Sequence, residues 1–159
     1  MQITTNILSG KTQTHLNDSC LLHADVFGPF SVLQSAAENE GFDLQVASGF
    51  RSYERQLLIW NEKATGKRPL LDNFGQPLNI ENLTDIQKVF SILRWSALPG
   101  CSRHHWGTDI DIWDAGSVPK DYRPRLIASE YSYGGPFYKL ASWLSVSSED
   151  FGFQMPYSH

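Results

Sequence analysis

The residues best able to do chemistry are concentrated in Ser102-Arg103-His104-His105-Trp106-Gly107-Thr108-Asp109-Ile110-Asp111. Two adjacent histidines and two aspartates lie within eight residues there. Imidazole nitrogen and carboxylate oxygen are ordinary zinc ligands. Gly107 permits a tight turn between the histidines and the aspartates, so that His104 can approach Asp111. The alternation from Thr108 to Trp113 predicts a strand with Thr108, Ile110 and Ile112 on one face and Asp109, Asp111 and Trp113 on the other. Both carboxylates then point into one cleft while the isoleucines anchor the strand in the core, which holds a metal site on a rigid element. A His-x6-Asp spacing alone has little specificity. His105 reads as a structural neighbour of a ligand, since adjacent side chains on an extended segment diverge. Asp109 is either a second carboxylate ligand or the neighbour of one, and Trp106 and Trp113 read as packing groups.

A second cluster, Ser48-Gly49-Phe50-Arg51-Ser52-Tyr53-Glu54-Arg55-Gln56, falls where a strand should end and a helix begin, a common place for recognition groups. The planar guanidinium of Arg51 suits a carboxylate or carbonyl oxygen, although a helix-end arginine facing solvent would look the same.

The elements that must position these clusters are partly readable. Apolar residues from Asp25 to Asn39 recur at helical spacing and stop at Gly41. Phe42 to Ala47 has strand character. A helix should run from near Ser52 to about Ala64, with Gly66 beyond it. Lys67 to Leu83, with Gly75, Pro69 and Pro77, lacks periodicity and reads as a functional excursion or flexible insertion, a candidate cover for the cleft. Thr84 and Gln87 form a capping box that opens a helix through Arg94, which Pro99-Gly100 closes off. Pro136 stands at the expected start of a helix through Leu144, and Asp150 to Tyr157 reads as a short final strand. Helices followed by short strands predict an α+β fold: one domain over residues 1–159, helices packed on a small, mainly antiparallel sheet.

Bulk properties exclude several classes. With 41% hydrophobic and 19% charged residues among 159, a folded domain with a real core is expected rather than extended disorder. A net charge of -4 and no basic stripe argue against nucleic acid. No apolar run approaches a membrane span, and the N-terminus shows no signal peptide. Cys20 and Cys101 cannot build a disulfide scaffold and read as small buried hydrophobes, though a single bridge between them stays open.

Together the two clusters resemble the VanY-like D-alanyl-D-alanine carboxypeptidases, in the zinc peptidase group that includes VanX and the hedgehog-type fold. The pattern Ser-x-His-x-x-Gly-x-x-x-Asp is met by Ser102, His104, Gly107 and Asp111. The upstream pattern Ser-Gly-Tyr-Arg-Ser-x-x-x-Gln is met by Ser48, Gly49, Arg51, Ser52 and Gln56, with Phe50 in the tyrosine place. The resemblance implies zinc on His104 and Asp111, and Arg51 as a catalytic group on the scissile carbonyl or the peptide terminus. It further implies Ser48, Gln56 and Ser102 near the substrate. Asp109 is counted with the substrate-contacting residues, although in the family its place usually holds a small residue.

One element of the family pattern is absent: no Glu-x-x-His, the source of the general base and third zinc ligand, occurs in this sequence. Three expectations follow. The sequence is a fragment lacking its closing segment; or it is a degenerate relative that binds without cleaving; or His159 supplies the third nitrogen with Glu149, Asp150 or Asp109 as base. The resemblance implies a monomeric zinc carboxypeptidase that hydrolyses D-alanine-terminated peptidoglycan stem peptides. The alternative is a non-catalytic zinc or peptidoglycan-binding module. The family implies the cell envelope or periplasm, with the cytoplasm as the alternative.

Overall fold

The computed structural model describes residues 3–17 and 21–156. Cys20, Tyr157 and His159 lie outside the described residues, and with them the expectations of a Cys20–Cys101 pair and of a His159 ligand. In chain order the elements are α1 (Thr5–Leu8), α2 (Ala24–Asn39), β1 (Leu44–Ser48), α3 (Tyr53–Ala64), α4 (Asp85–Trp95), β2 (Asp111–Asp114), α5 (Ala128–Tyr131) and α6 (Tyr138–Ser147). Short 3-10 turns fall between them. Helices with a two-stranded antiparallel sheet make this an α+β fold. The chain divides into two compact units, residues 1–23 with 49–109 and residues 24–48 with 110–159.

The first unit contains α1, α3 and α4. Ser52 caps α3, its hydroxyl accepting from the Arg55 amide at 3.2 Å. Glu54 in the first turn and Lys63 in the last complement the helix dipole. The buried face of α3 is Gln56, Ile59 and Lys63, an unusually polar stripe whose partners lie in the site. The capping box of α4 forms as expected: Gln87 N–H donates to the Thr84 hydroxyl at 3.3 Å, and Thr84 N–H to the Gln87 side chain at 2.9 Å. The stretch after α3 is an ordered hairpin rather than a loose insertion. Leu71 bridges Pro77, and the Asp72 carboxylate accepts from the amides of Phe74 and Gln76. Leu70 is buried, and Trp95 donates to the Asp72 carbonyl, pinning the hairpin at both ends.

The second unit contains both strands. They pair antiparallel, Leu44 opposite Asp114 through Ser48 opposite Asp111, with a bulge between Val46 and Ser48. α2 buries Phe30, Leu33 and Ala37 and stops where Gly41 takes φ +88°, a left-handed conformation that glycine adopts without steric cost. Phe137 is fully buried and collects the rings of Trp113, Tyr122 and Tyr131 at 5.2–6.0 Å. Glu130 is also buried. Its carboxylate accepts from the Arg125 and Ile127 amides and from the Tyr122 hydroxyl, so the charge is fully engaged.

Four expectations are corrected. The strand begins at Asp111, not Thr108, so Asp109 does not share a strand face with Asp111. Asp109 belongs to the first unit, and its carboxylate turns toward Arg103 and His104. The segment expected as a final strand, Asp150 to Tyr157, begins inside a 3-10 turn, Ser148–Phe151, and forms no strand among its described residues. Gly152 ends the turn at φ +80°, with Phe153 N–H bonded back to the Ser148 carbonyl. Pro136 precedes Phe137, the N-cap, so it stands outside α6 rather than in its first turn. Cys101 is exposed rather than buried, because it sits on the turn that Pro99-Gly100 makes, with its amide on the Leu98 carbonyl. Among the described residues no helix is long and apolar enough to cross a membrane.

The exposed capping box of α4 gives a direct test of this local reading. Thr84→Ala should destabilise the protein by about 1 kcal/mol, seen as a lower urea midpoint with an unchanged slope.

Candidate active site

Gly107 organises the first cluster. It ends the 3-10 turn Arg103–Trp106 at φ +69°, with its amide on the His104 carbonyl. A Cβ there would stand 2.8 Å from the His23 amide nitrogen and 2.7 Å from Leu16 Cδ2. Both the backbone angle and the space therefore require glycine. The Gly107 carbonyl accepts from His23 N–H at 2.8 Å, which fastens the turn to the N-terminal segment.

Arg51 and the histidine pair are welded together by backbone groups. Arg51 N–H donates to the His104 carbonyl at 3.0 Å, and His105 Nδ1–H donates to the Arg51 carbonyl at 2.6 Å. A carbonyl only accepts, so His105 carries its proton on Nδ1. Its Nε2 is correspondingly bare and accepts the Gly100 amide at 3.0 Å. His105 is fully buried with both ring nitrogens occupied, a structural role as expected. His104 is fixed in the same manner: Nδ1–H donates to the Gly49 carbonyl at 3.0 Å. That bond sets the tautomer and leaves Nε2 as the unprotonated nitrogen. His104 Nε2 lies 3.7 Å from Asp109 Oδ2, and Asp109 Oδ1 lies 3.6 Å from Arg103 Nη2.

The Arg51 side chain is held by Gln56, whose Oε1 accepts from Arg51 Nη1 at 3.0 Å while its Nε2 donates to the Ala97 carbonyl at 2.6 Å. Gln56 has no exposed surface, so here it orients Arg51. About two turns along α3, buried Lys63 donates to the Ser96 hydroxyl at 2.8 Å. Burial first, then the charges of Arg68 and Arg51, lower its ammonium pKa to about 8. Ser102 is buried at the head of the 103–106 turn, and its hydroxyl makes no capping bond to it.

In the second unit, Ser48 and Asp111 stand opposite one another across the two strands, directly beside the bulge. Bulges re-aim side chains, and they recur next to functional sites. Tyr131 donates its hydroxyl to the Ile112 carbonyl at 2.8 Å. Burial, and then the carboxylates of Glu130 and Asp111, push its phenol well above the ordinary range, so it remains a neutral donor.

Thus the first unit brings together Arg51, Gln56, His104 and Asp109, and the second pairs Ser48 with Asp111. Among the described residues no three His, Cys, Asp or Glu side chains are grouped to hold a metal. Sequence reading passed over His15. It is 1% exposed, and its Nε2–H donates to the His105 carbonyl at 3.2 Å, while Nδ1 is buried without a hydrogen-bond partner. His15 has no motif around it, and only the fold reveals its role.

Known proteins match most of the chain. The family model for VanY, D-alanyl-D-alanine carboxypeptidase, matches residues 19–159. The chain belongs to the VanY family. A solved structure of VanYB in complex with D-alanine-D-alanine superposes with a TM-score of 0.60 at 25% identity, covering 86% of this chain and 61% of that one. A vancomycin-resistance D,D-pentapeptidase VanY variant in complex with Zn(II) shares the fold, with a TM-score of 0.56 at 23% identity over 87% of this chain and 62% of that one. The chain therefore spans about six-tenths of the length of these solved relatives. An uncharacterised protein of Haemophilus influenzae is 42% identical over 105 residues, covering 62% of this chain and 72% of the relative.

The buried histidines make acid stability testable. Burial lowers the pKa of His15 and of His105 below 6.5, so both are neutral when folded. Between the folded pKa and about 6.5 the unfolded chain binds more protons, so their contribution is complete above 6.5 and is lost as pH falls through the folded values. His15→Gln should flatten the fall of the urea midpoint between about pH 7 and pH 5. An unchanged slope would assign the acid sensitivity to other groups.

Proposed function

We propose that this chain is a zinc-dependent carboxypeptidase that hydrolyses D-alanine-terminated peptidoglycan stem peptides. His104 and Asp111 are its zinc ligands, and Arg51 acts on the substrate. The observation that carries the reading is the fixed ring of His104 on the family's motif, whose Nδ1–H is held by the Gly49 carbonyl, so that Nε2 is the nitrogen left without a proton. Imidazole and carboxylate are donors that suit zinc. Membership of the VanY family supports the reaction class, and the Zn(II) and D-alanine-D-alanine complexes of the two structural relatives support the metal and the peptide.

Zinc, when bound, supplies a Lewis acid that makes water a nucleophile near neutral pH. The chain's own residues bind and orient the substrate. Arg51 presents a planar cation whose peptide group is locked to His104 and His105 and whose side chain is steadied by Gln56. That pre-organisation suits either a substrate carboxylate or the charge developing on the scissile carbonyl oxygen. Ser48 and Ser102 are placed by the same two motifs as substrate contacts. An envelope location belongs to the same proposal, since the substrate is found there. The second reading, a non-catalytic zinc or peptidoglycan-binding module, is favoured by the want of a third grouped ligand among the described residues.

Metal analysis should find zinc in the purified protein, and His104→Ala or Asp111→Ala should remove it. D-Alanine release from a stem peptide separates the two readings: zinc without turnover supports the binding module. Arg51→Lys keeps the charge but not the planar fork, and should lower kcat/KM by about 10² or more while leaving bound zinc unchanged.

A further inference from the structure

We infer that Lys63 is a specificity-determining residue, whose buried charge works with Arg51 to favour substrates that end in a free carboxylate. This rests on the proposed action of Arg51 on the peptide and goes beyond it, because neither motif of the site includes residue 63.

Position ties the two cations together. Lys63 shares the inner face of α3 with Gln56 and Ile59 and is 9% exposed. Gln56 and Lys63 reach two consecutive residues. Gln56 Nε2 donates to the Ala97 carbonyl at 2.6 Å, and Lys63 Nζ donates to the Ser96 hydroxyl at 2.8 Å. The other end of the Gln56 amide accepts from Arg51 Nη1 at 3.0 Å. The Lys63 ammonium and the Arg51 guanidinium are thus fixed through the same short segment.

Charge gives that position a use. A buried ammonium is costly unless an acid pairs with it. Among the described residues no carboxylate bonds to Lys63, and its partner Ser96 is neutral. The charged groups that act on it are Arg68 and Arg51, both cationic. Glu62, its neighbour on α3, is engaged by Arg68 at 2.9 Å. A residue that served only to hold Ser96 could be an uncharged donor and avoid burying a charge. The repulsion is mutual: Arg51 makes the Lys63 proton easier to lose, and Lys63 raises the positive potential at Arg51. An anion delivered to Arg51 relieves both cations. The C-terminal carboxylate of a peptide is such an anion, whereas a terminal amide or an internal peptide bond offers only a neutral oxygen.

The test compares two peptides that differ only at the terminus, an N-acylated D-alanyl-D-alanine dipeptide and its C-terminal amide. The readout is the ratio of their kcat/KM values, in which any group that affects both peptides equally cancels. Their dissociation constants give the same ratio if the protein binds without cleaving. Burial and the two arginines lower the Lys63 pKa to about 8, so its charge is lost in mildly alkaline solution. The wild type should favour the free acid, and the ratio should fall about three- to tenfold between about pH 7 and pH 9. Lys63→Met should give a low ratio at pH 7 that no longer changes with pH. Lys63→Arg stays charged and should keep the ratio high across the whole range. Thermal midpoints are the folding control, and if Lys63→Met does not fold, the wild-type series and Lys63→Arg decide. A wild-type ratio that stays flat with pH overturns the inference and leaves Arg51 and the metal reading standing. An equal loss on both peptides in Lys63→Met also overturns it and makes the residue structural. If the wild type neither binds nor cleaves either peptide, the functional reading itself falls, and this inference with it.

Discussion

The site depends on a reciprocal exchange between two distant pieces of backbone. Arg51 N–H bonds the His104 carbonyl, and the Arg51 carbonyl receives His105 Nδ1–H. More than fifty residues separate the partners, so α3, the hairpin and α4 together form the loop that this exchange closes. Closing a loop of that length costs only a few kcal/mol beyond a short one, since the penalty grows logarithmically. What it fixes is large: the direction of the Arg51 side chain, the tautomer of His105 and the path of the chain into His104. A buried imidazole with a donor on one nitrogen and an acceptor on the other can fill its position in only one orientation. Leaving either partner unpaired would cost a full desolvation penalty.

The helices serve this exchange more than they serve a large core. The inner face of α3 is built from Gln56, Ile59 and Lys63, and two of these three spend their polar ends on the 96–97 segment. That segment leads from α4 into the turn that carries the histidines. A leucine at position 56 or 63 would bury more apolar area but would leave the Ala97 carbonyl or the Ser96 hydroxyl without its present partner. The polar stripe thus trades hydrophobic burial for position.

Local signals were legible in the sequence and long-range ones were not. The Ser52 cap, the Thr84–Gln87 capping box and the Gly41 stop are encoded within four residues and appear where the residue pattern places them. Gly107 was legible in the same way, because its φ of +69° and the crowding around its Cα admit glycine alone. The failures come from competition at a distance. Alternation over Thr108–Trp113 favours a strand, yet Asp109 leaves the ladder for Arg103 and His104. The apolar end of the chain has β-forming residues, yet Gly152 closes a 3-10 turn. His15 and the buried roles of Gln56 and Lys63 rest on partners 33 to 90 residues away, and no spacing rule reports such contacts.

Lys63 shows how the charges around Arg51 are balanced. Its ammonium is buried, and burial, Arg68 and Arg51 all disfavour its charge, which brings its pKa to about 8. Glu62 engages Arg68 at 2.9 Å and so relieves part of that repulsion. The Ser96 hydroxyl solvates the ammonium without neutralising it. A carboxylate in that place would have cancelled the positive field reaching Arg51, whereas a hydroxyl leaves it intact. The two cations repel each other, so Lys63 adds to the positive potential around Arg51. In a partly desolvated site such a field falls off slowly, so an incoming carboxylate or a developing oxyanion is stabilised by more than the guanidinium alone.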